Sequence, residues 1–273
     1  MLHFTKSSSL FTAATLAALT TRSAMAAFCP CTMDPRLVES LSAAGPDLEG
    51  IDDIFEGWLG EVDNGNGPAA VQGEGFRSIN WDGRAIPFKM PNNFFAQGPV
   101  DRGLLLKART GEFVVSNPSD GSDDLFDSVN PQVAVDFAAF TPERIFTALE
   151  DTKFEITFAV PGSAGQEPAL VGAFGAIFVD VDLSYTTKLE FYDSQNCLLL
   201  REYVEPFSGG HSFLGLKLPE KKIAKVVVTL GNEPLSGQES TNLASPTRVL
   251  RRSWGKDIVV MDDFYYDEPV AQY

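Results

Sequence analysis

Two stretches, residues 171–183 (VGAFGAIFVDVDL) and residues 257–268 (DIVVMDDFYYDE), decide how this chain folds. Each is a run of aliphatic, β-branched and aromatic residues, which is typical of a strand that is buried on both faces. Each run also contains carboxylates, and strands end where a sheet meets its loops. We therefore predict that the acidic side chains cluster at an edge or an end of a β-sheet.

The surrounding sequence also has the patterns of strands and turns. Apolar and polar residues alternate along residues 154–160 (FEITFAV), which predicts a half-buried strand. Residues 193–196 (DSQN) and 219–222 (PEKK) each separate two apolar runs, and we interpret both as hairpin turns. Residues 258–265 are predicted to be the last strand. Strands at this spacing, without long helices between them, predict an all-β sandwich or barrel.

The chain divides into three predicted parts. Residues 1–26 are a signal peptide, residues 27–75 a helical arm and linker, and residues 76–268 the β-sandwich domain. Apolar residues three and four apart within residues 34–62 predict helix there, broken near Gly45 and Pro46.

The first 26 residues have the features of a secretory leader. Lys6 supplies a positive charge, residues 10–19 (LFTAATLAAL) form an apolar core, and residues 24–26 (AMA) offer a cleavage site. We predict a secreted protein. The alternative is the lumen of an organelle, because the leader is rich in Ser and Thr and lacks acids. The remaining chain has no second apolar run long enough to suggest a membrane anchor.

Charge narrows the classes of partner. The chain of 273 residues has a formal net charge of −16 at pH 7. Such a charge repels nucleic acids and anionic membranes, so we predict neither as a partner.

Three cysteines follow the leader, namely Cys29, Cys31 and Cys197. In a secreted protein we expect one disulfide, which would tie the N-terminal arm to the body through Cys197. The sequence leaves the pairing open.

Motifs for nucleophilic catalysis are missing from the sequence. Outside the leader, His211 is the only histidine, and there is no G-x-S-x-G motif. A pair of carboxylates acting on a glycoside remains as an alternative, since acids are abundant.

We interpret the acidic residues as calcium ligands rather than as a catalytic pair, because calcium binds six to eight oxygens from carboxylates, amides and carbonyls. Asp180 and Asp182 lie two apart, on one face of an extended strand. Of the adjacent pair Asp262 and Asp263, we expect one to point inward, where a buried carboxylate needs a partner. The candidate ligands are Asn80, Asp82, Asp180, Asp182, Asp262 and Asp263.

Several segments together resemble a family of secreted bacterial-type β-sandwich proteins, some of which carry PEP-CTERM sorting tails. The matching segments are residues 77–83 (RSINWDG), 91–95 (PNNFF), 144–149 (RIFTAL), 154–162 (FEITFAVPG), 174–183 (FGAIFVDVDL), 189–193 (LEFYD), 213–215 (FLG) and 259–265 (VVMDDFY).

The resemblance implies a jelly-roll-type antiparallel β-sandwich, similar to galactose-binding-like and carbohydrate-binding modules, with no established catalytic residues. It also implies a structural calcium held by Asp263 or Asp262 together with Asp82 or Asn80. The chain differs from the family in a basic insertion at residues 248–256. It also lacks a sorting helix after Glu268, so we expect it to be released rather than anchored.

The leading functional hypothesis is a secreted, non-catalytic binding module for a glycan or cell-surface polymer. Aromatic side chains that could stack on sugars are Trp81, Trp254, Tyr192 and Tyr203, although Trp81 lies in an alternating strand and is expected in the core. The alternatives are a glycoside hydrolase with an acid pair and an extracellular matrix protein without a small ligand.

Overall fold

The fold is taken from a computed structural model, which describes residues 37–60, 62–117, 125–237 and 255–272. These residues contain one α-helix, α1 (Ile51–Leu59), and short 3-10 turns at Gly45–Leu48, Phe94–Ala96, Gly98–Val100 and Ala134–Asp136. The strands are β1 (Glu39–Ala44), β2 (Phe76–Ile79), β3 (Lys89–Met90), β4 (Leu104–Ala108), β5 (Phe113–Val115), β6 (Phe146–Ala148), β7 (Lys153–Ala159), β8 (Pro168–Leu170), β9 (Ala173–Val181), β10 (Lys188–Tyr192), β11 (Leu198–Tyr203), β12 (Phe207–Lys217), β13 (Lys225–Thr229), β14 (Val260–Asp267) and β15 (Val270–Ala271).

Within the described residues, the strands form two antiparallel sheets, one of eight strands and one of seven. The eight-stranded sheet has the order β1-β12-β9-β14-β6-β5-β3, and β2 also pairs with β14. The seven-stranded sheet has the order β11-β10-β13-β7-β8-β15, and β4 also pairs with β7. The two stretches that opened the sequence analysis are neighbours, because β9 pairs with β14.

The main core lies between the sheets and is rich in aromatic rings. Trp81 is fully buried there, stacked on Phe146 with ring centroids 4.0 Å apart, and its edge faces Phe264. The expectation that Trp81 belongs to the core is confirmed, as is the prediction of an all-β sandwich.

The outer face of the eight-stranded sheet is covered by α1 and by loops. Every residue of β9 is buried, in agreement with its nearly continuous apolar sequence. Helix α1 turns Ile51, Phe55 and Leu59 toward the sheet, since residues four apart share one face of a helix.

Phe55 of α1 sits in a slot made by two glycines. Gly175 of β9 pairs with Gly215 of β12. A Cβ atom on Gly175 would lie 2.7 Å from Phe55 Cε1, and one on Gly215 would lie 2.5 Å from Phe55 Cε2. The ring also meets Phe213 edge-on, with centroids 5.2 Å apart. Any larger residue at either glycine would displace the helix from the sheet.

The outer face of the seven-stranded sheet is polar. Along β10, Leu189 and Phe191 point into the main core, whereas Lys188, Glu190 and Tyr192 alternate with them on the other side. None of the three apolar clusters of the described residues includes the outward side chains of this sheet.

The N-terminal arm differs from its prediction. Two short helices, separated near Gly45 and Pro46, were expected within residues 34–62, but Glu39–Ala44 is strand β1, and every residue of β1 pairs with β12. A spacing of four residues fits both a helical face and every second position of a strand, so the pattern did not separate them. The helical prediction is wrong for β1 and is confirmed for α1.

One strand connection and the position of the last strand also differ. β12 and β13 do not form a hairpin, because they belong to different sheets. The connection between them buries Leu218 and Ile223 in the main core, which an exposed turn could not do. The hairpin around residues 193–196 is confirmed by the pairing of β10 with β11. The last strand is β15, which pairs with β8, rather than the predicted one.

Candidate functional site

Asp262 and Asp263 lie at a β-bulge in the middle of β14. The ladder between β14 and β9 shifts register between Met261 and Phe264, so the two aspartates oppose the single residue Ile177. A bulge interrupts the alternation of side chains. Both aspartates are buried, with 0% and 3% of their surface exposed, whereas simple alternation predicted only one inward.

One loop, residues 140–144, supplies most of the hydrogen bonds to these carboxyl groups. The Phe140 N–H donates to Asp262 Oδ2 at 2.6 Å, and Thr141 Oγ1 donates to Asp263 Oδ1 at 2.8 Å. The Tyr265 hydroxyl donates to Asp263 Oδ2 at 2.9 Å. The buried acids therefore anchor this loop to the final long strand.

Asp82 joins the same arrangement. Its Oδ1 accepts the backbone N–H groups of Glu143 and Arg144 at 2.7 and 2.9 Å. The preceding residue, Trp81, donates its ring N–H to the Asp262 carbonyl at 2.9 Å. We call Asp82, Asp262 and Asp263 the bulge cluster. Asn80 was expected to join them, but it is exposed and makes no side-chain hydrogen bond within the described residues.

The protonation of the bulge cluster follows from its burial. Burial, the charge of Asp263 and a hydrogen bond between the two carboxyl groups raise the pKa of Asp262 well above its ordinary range. Burial also raises the pKa of Asp263, although hydrogen bonds from Thr141 and Tyr265 oppose the change. Asp262 Oδ1 is a buried atom with no hydrogen-bond partner among the described residues, and a proton on Asp262 that is donated to Asp263 would supply one.

A calcium ion fits this arrangement less well than a shared proton. Most carboxyl oxygens of the bulge cluster already accept hydrogen bonds, which leaves Asp262 Oδ1 and Asp82 Oδ2. Calcium needs about six to eight oxygens. In the described part of the chain, no group of three or more His, Cys, Asp or Glu residues is placed to hold a metal ion. Calcium stays a prediction, and chelation tests it.

The other predicted ligands, Asp180 and Asp182, lie elsewhere. On β9, Asp180 is three residues beyond Ile177, which corresponds to about 10 Å of extended strand. There the two acids meet Asp257, whose Oδ1 accepts the Asp182 N–H at 3.0 Å. We call Asp180, Asp182 and Asp257 the strand-end cluster. Acids gather at a sheet end here, as predicted, although Asp257 was not among the predicted ligands. The same prediction is wrong for Asp262 and Asp263, which lie in the middle of β14, an inner strand of its sheet.

Asp180 is held in an unusual environment. Its backbone has φ 62°, a left-handed conformation that aspartate tolerates better than most residues. Its Oδ1 accepts the Gly209 N–H at 2.6 Å. Burial, together with the charges of Asp182, Asp136 and Asp257, raises the pKa of Asp180 to about 7. The alternative that this residue simply faces solvent at the end of a strand is wrong, because it is buried.

Cations collect on the outer face of the seven-stranded sheet. We call its outward side chains on β4, β7, β10, β11 and β13 the cationic face. Its charged and aromatic members are Lys107, Glu155, Lys153, Lys188, Glu190, Tyr192, Arg201, Tyr203 and Lys225.

Glu190 is the centre of this face. Arg201 Nη2 lies 2.5 Å from Glu190 Oε1, and the Nζ atoms of Lys188 and Lys153 lie 3.5 and 3.6 Å from Glu190 Oε2. Burial alone would raise the pKa of Glu190, but the Arg201 hydrogen bond and the surrounding positive charges bring this pKa below its ordinary value. The carboxylate thus lies within 3.6 Å of three cations.

Tyrosines accompany the cations. Tyr185, in the turn before β10, is 78% exposed and meets Tyr203, 39% exposed, edge-on with ring centroids 5.3 Å apart. Lys188 Nζ lies 5.9 Å from the centre of the Tyr203 ring, and Lys225 Nζ lies 4.6 Å from that of Tyr192. Tyr192 and Tyr203 were predicted as stacking groups, and Tyr185 was missed. Trp254 lies outside the described residues.

Cys197 is buried and disulfide-bonded. The other two cysteines, Cys29 and Cys31, lie outside the described residues, so the disulfide partner of Cys197 stays open.

No known protein family model, curated protein or solved structure matches this chain. None of the described helices is long and apolar enough to cross a membrane.

Proposed function

We propose that this chain is a secreted, non-catalytic binding module, and that its ligand is a glycan or cell-surface polymer bound at the cationic face. The observation that carries the proposal is the exposed ring pair of Tyr185 and Tyr203 beside Lys188. Tyrosine combines a flat apolar ring with a polar tip, which suits contact with the apolar faces and hydroxyl groups of sugars. The resemblance to carbohydrate-binding sandwiches points to the same class of ligand.

The arrangement of the acids favours binding over catalysis. Hydrolysis of a glycoside needs two carboxyl groups about 5–5.5 Å apart in retaining enzymes or about 6.5–9.5 Å apart in inverting ones. Asp262 and Asp263 are instead neighbours at a buried bulge, and residues 140–144 and Tyr265 occupy most of their oxygens. These two acids serve the fold and leave no open pair for a substrate.

Two observations support secretion. The first 26 residues have a charged start, an apolar core and a small-residue cleavage site. The disulfide at Cys197 is of the kind that forms and persists in oxidising compartments.

A glycan array tests the proposal directly. At least one class of immobilised glycan should bind the purified protein, and the affinity for that glycan should then be measured by calorimetry. Tyr185→Ala and Tyr203→Ala should each weaken binding by about tenfold, because exposed aromatic anchors carry much of the energy of an interface.

The matched control is Ile54→Ala. This side chain is 51% exposed on α1, which packs on the other sheet, so its removal should leave the affinity unchanged. The proposal would be overturned if no glycan on the array bound the protein, or if both tyrosine variants kept the affinity of the wild type.

A further inference from the structure

We infer that the cationic face binds an acidic polysaccharide, whose carboxylate or sulfate groups pair with its lysines and arginine. The inference rests on the proposed function and specifies the ligand class. It is argued from the charges of the face, their spacing and the tyrosines between them.

The charge of this face is opposite to that of the chain. Over the whole sequence, 37 acids outnumber 21 lysines and arginines. On the cationic face, five cations surround two carboxylates, which leaves an excess of three positive charges. The cations are Lys107, Lys153, Lys188, Arg201 and Lys225, and the acids are Glu155 and Glu190.

The two acids position the cations without neutralising them. Glu190 contacts three cations, and Glu155 lies 3.8 Å from Lys107 and 3.9 Å from Lys225. Arg201 uses Nε and Nη2 for Glu190, and Nη1 makes no hydrogen bond within the described residues. Because Arg201 is already held by two hydrogen bonds, it loses less conformational entropy when an anion binds than an unconstrained side chain would.

Charged residues on four of five neighbouring strands form a row across the sheet, with Val227 on the strand between them. Arg201 pairs with Glu190, Glu190 with Val227, Val227 with Glu155, and Glu155 with Lys107. Five neighbouring strands at about 4.8 Å spacing give a row of about 19 Å. This length suits an extended polymer better than a single small anion.

The tyrosines of the cationic face suit a sugar polymer. Tyr203 stands in register with Lys188, and Tyr192 in register with Lys225, so rings and charges lie side by side. An acidic polysaccharide offers apolar sugar faces and spaced anionic groups in the same way. A nucleic acid carries one charge per nucleotide of each strand, so DNA in the test shows whether the face responds to negative charge alone.

Binding should be compared for four polymers under identical conditions: polygalacturonate, dextran sulfate, neutral dextran and single-stranded DNA. We expect the two acidic polysaccharides to bind at least tenfold more tightly than dextran or DNA, and this preference to shrink in higher salt. The double variant Lys107→Gln/Lys153→Gln should weaken acidic binding about tenfold and leave dextran binding unchanged. It removes Lys153 from Glu190 but spares Arg201 and Lys188, so Glu190 keeps two of its three cationic partners.

The matched control is Lys89→Gln/Lys222→Gln. It removes two exposed lysines that lie outside the cationic face, and each of them is paired with a single glutamate. Its affinities should equal those of the wild type. If dextran binds as tightly as the acidic polymers, the acidic ligand is wrong and the binding module stands. If DNA binds as tightly as they do, the face is a general polyanion surface and the inference is also wrong. If none of the polysaccharides bound, the inference and the proposed function would both be overturned.

Discussion

Replacing Asp180 with asparagine should stabilise the protein near neutral pH and change its stability little in acid. Asparagine has nearly the same shape, tolerates the left-handed backbone and can still accept the Gly209 N–H. It differs in carrying no charge. The substitution therefore isolates the cost of an ionised carboxyl group in the strand-end cluster.

The magnitude follows from the pKa of Asp180, which is about 7 in the folded chain against an ordinary value of 3.8. Between these values the folded chain keeps a proton that the unfolded chain has released. The contribution of protonated Asp180 to the free energy of unfolding is thus fully present below the unfolded pKa. It is lost as the pH rises to the folded pKa of about 7. At about 1.4 kcal/mol per pKa unit, the loss approaches about 4 kcal/mol.

Urea unfolding between pH 4.5 and pH 8 measures this effect. The wild type should lose free energy of unfolding relative to Asp180→Asn as the pH rises, with m-values that stay equal. Asp47→Asn, at an exposed aspartate after β1, is the control and should run parallel to the wild type. Parallel curves for Asp180→Asn and the wild type would refute the reasoning, as would a variant that is less stable at pH 8.

Three further predictions concern stability. Asp262→Asn should be tolerated within about 1 kcal/mol, because an amide can replace a protonated carboxyl group, whereas Asp263→Asn should cost about 1–3 kcal/mol, because it puts a donor where Thr141 and Tyr265 donate. Equal effects of the two substitutions in urea unfolding would contradict the proton assignment. Phe55→Ala should cost about 3–5 kcal/mol by emptying the glycine slot, with Ile54→Ala on the exposed side of α1 as a near-neutral control, and a small loss for Phe55→Ala would mean that α1 is not firmly docked. A chelator should leave the thermal midpoint unchanged if a shared proton completes the bulge cluster, while a clear fall in the midpoint would favour the predicted calcium ion.

The sequence predicts the buried strands well and their local irregularities poorly. β9 is recognisable because both of its faces are covered and nearly all of its residues are apolar. The bulge at Asp262 and Asp263 cannot be recognised from the sequence, because it depends on the strand register. The two aspartates oppose one residue, Ile177, which lies some 85 positions earlier in the chain. Strict alternation therefore assigned the two aspartates to opposite sides.

The cationic face was visible only in part. The alternation of residues 188–192 (KLEFY) identifies an outward row on one strand. Lys107 and Lys153 come from distant segments, and only the pairing of β4, β7 and β13 brings them to the same surface. Which sheet keeps a polar face depends on where α1 docks, and the sequence pattern of α1 does not state that.

The glycine slot has a consequence for the order of folding. Phe55 has nowhere to dock until Gly175 and Gly215 are paired, and these residues follow it by more than a hundred positions in the sequence. The arm is synthesised before β9 and β12 but should be among the last parts to pack, since contacts distant in sequence form slowly. Trp58, whose ring centroid is 6.0 Å from that of Phe55, lies where its fluorescence can follow this step. If a chain refolding from urea showed the Trp58 signal before β9 and β12 gained protection from hydrogen exchange, that order would be disproved.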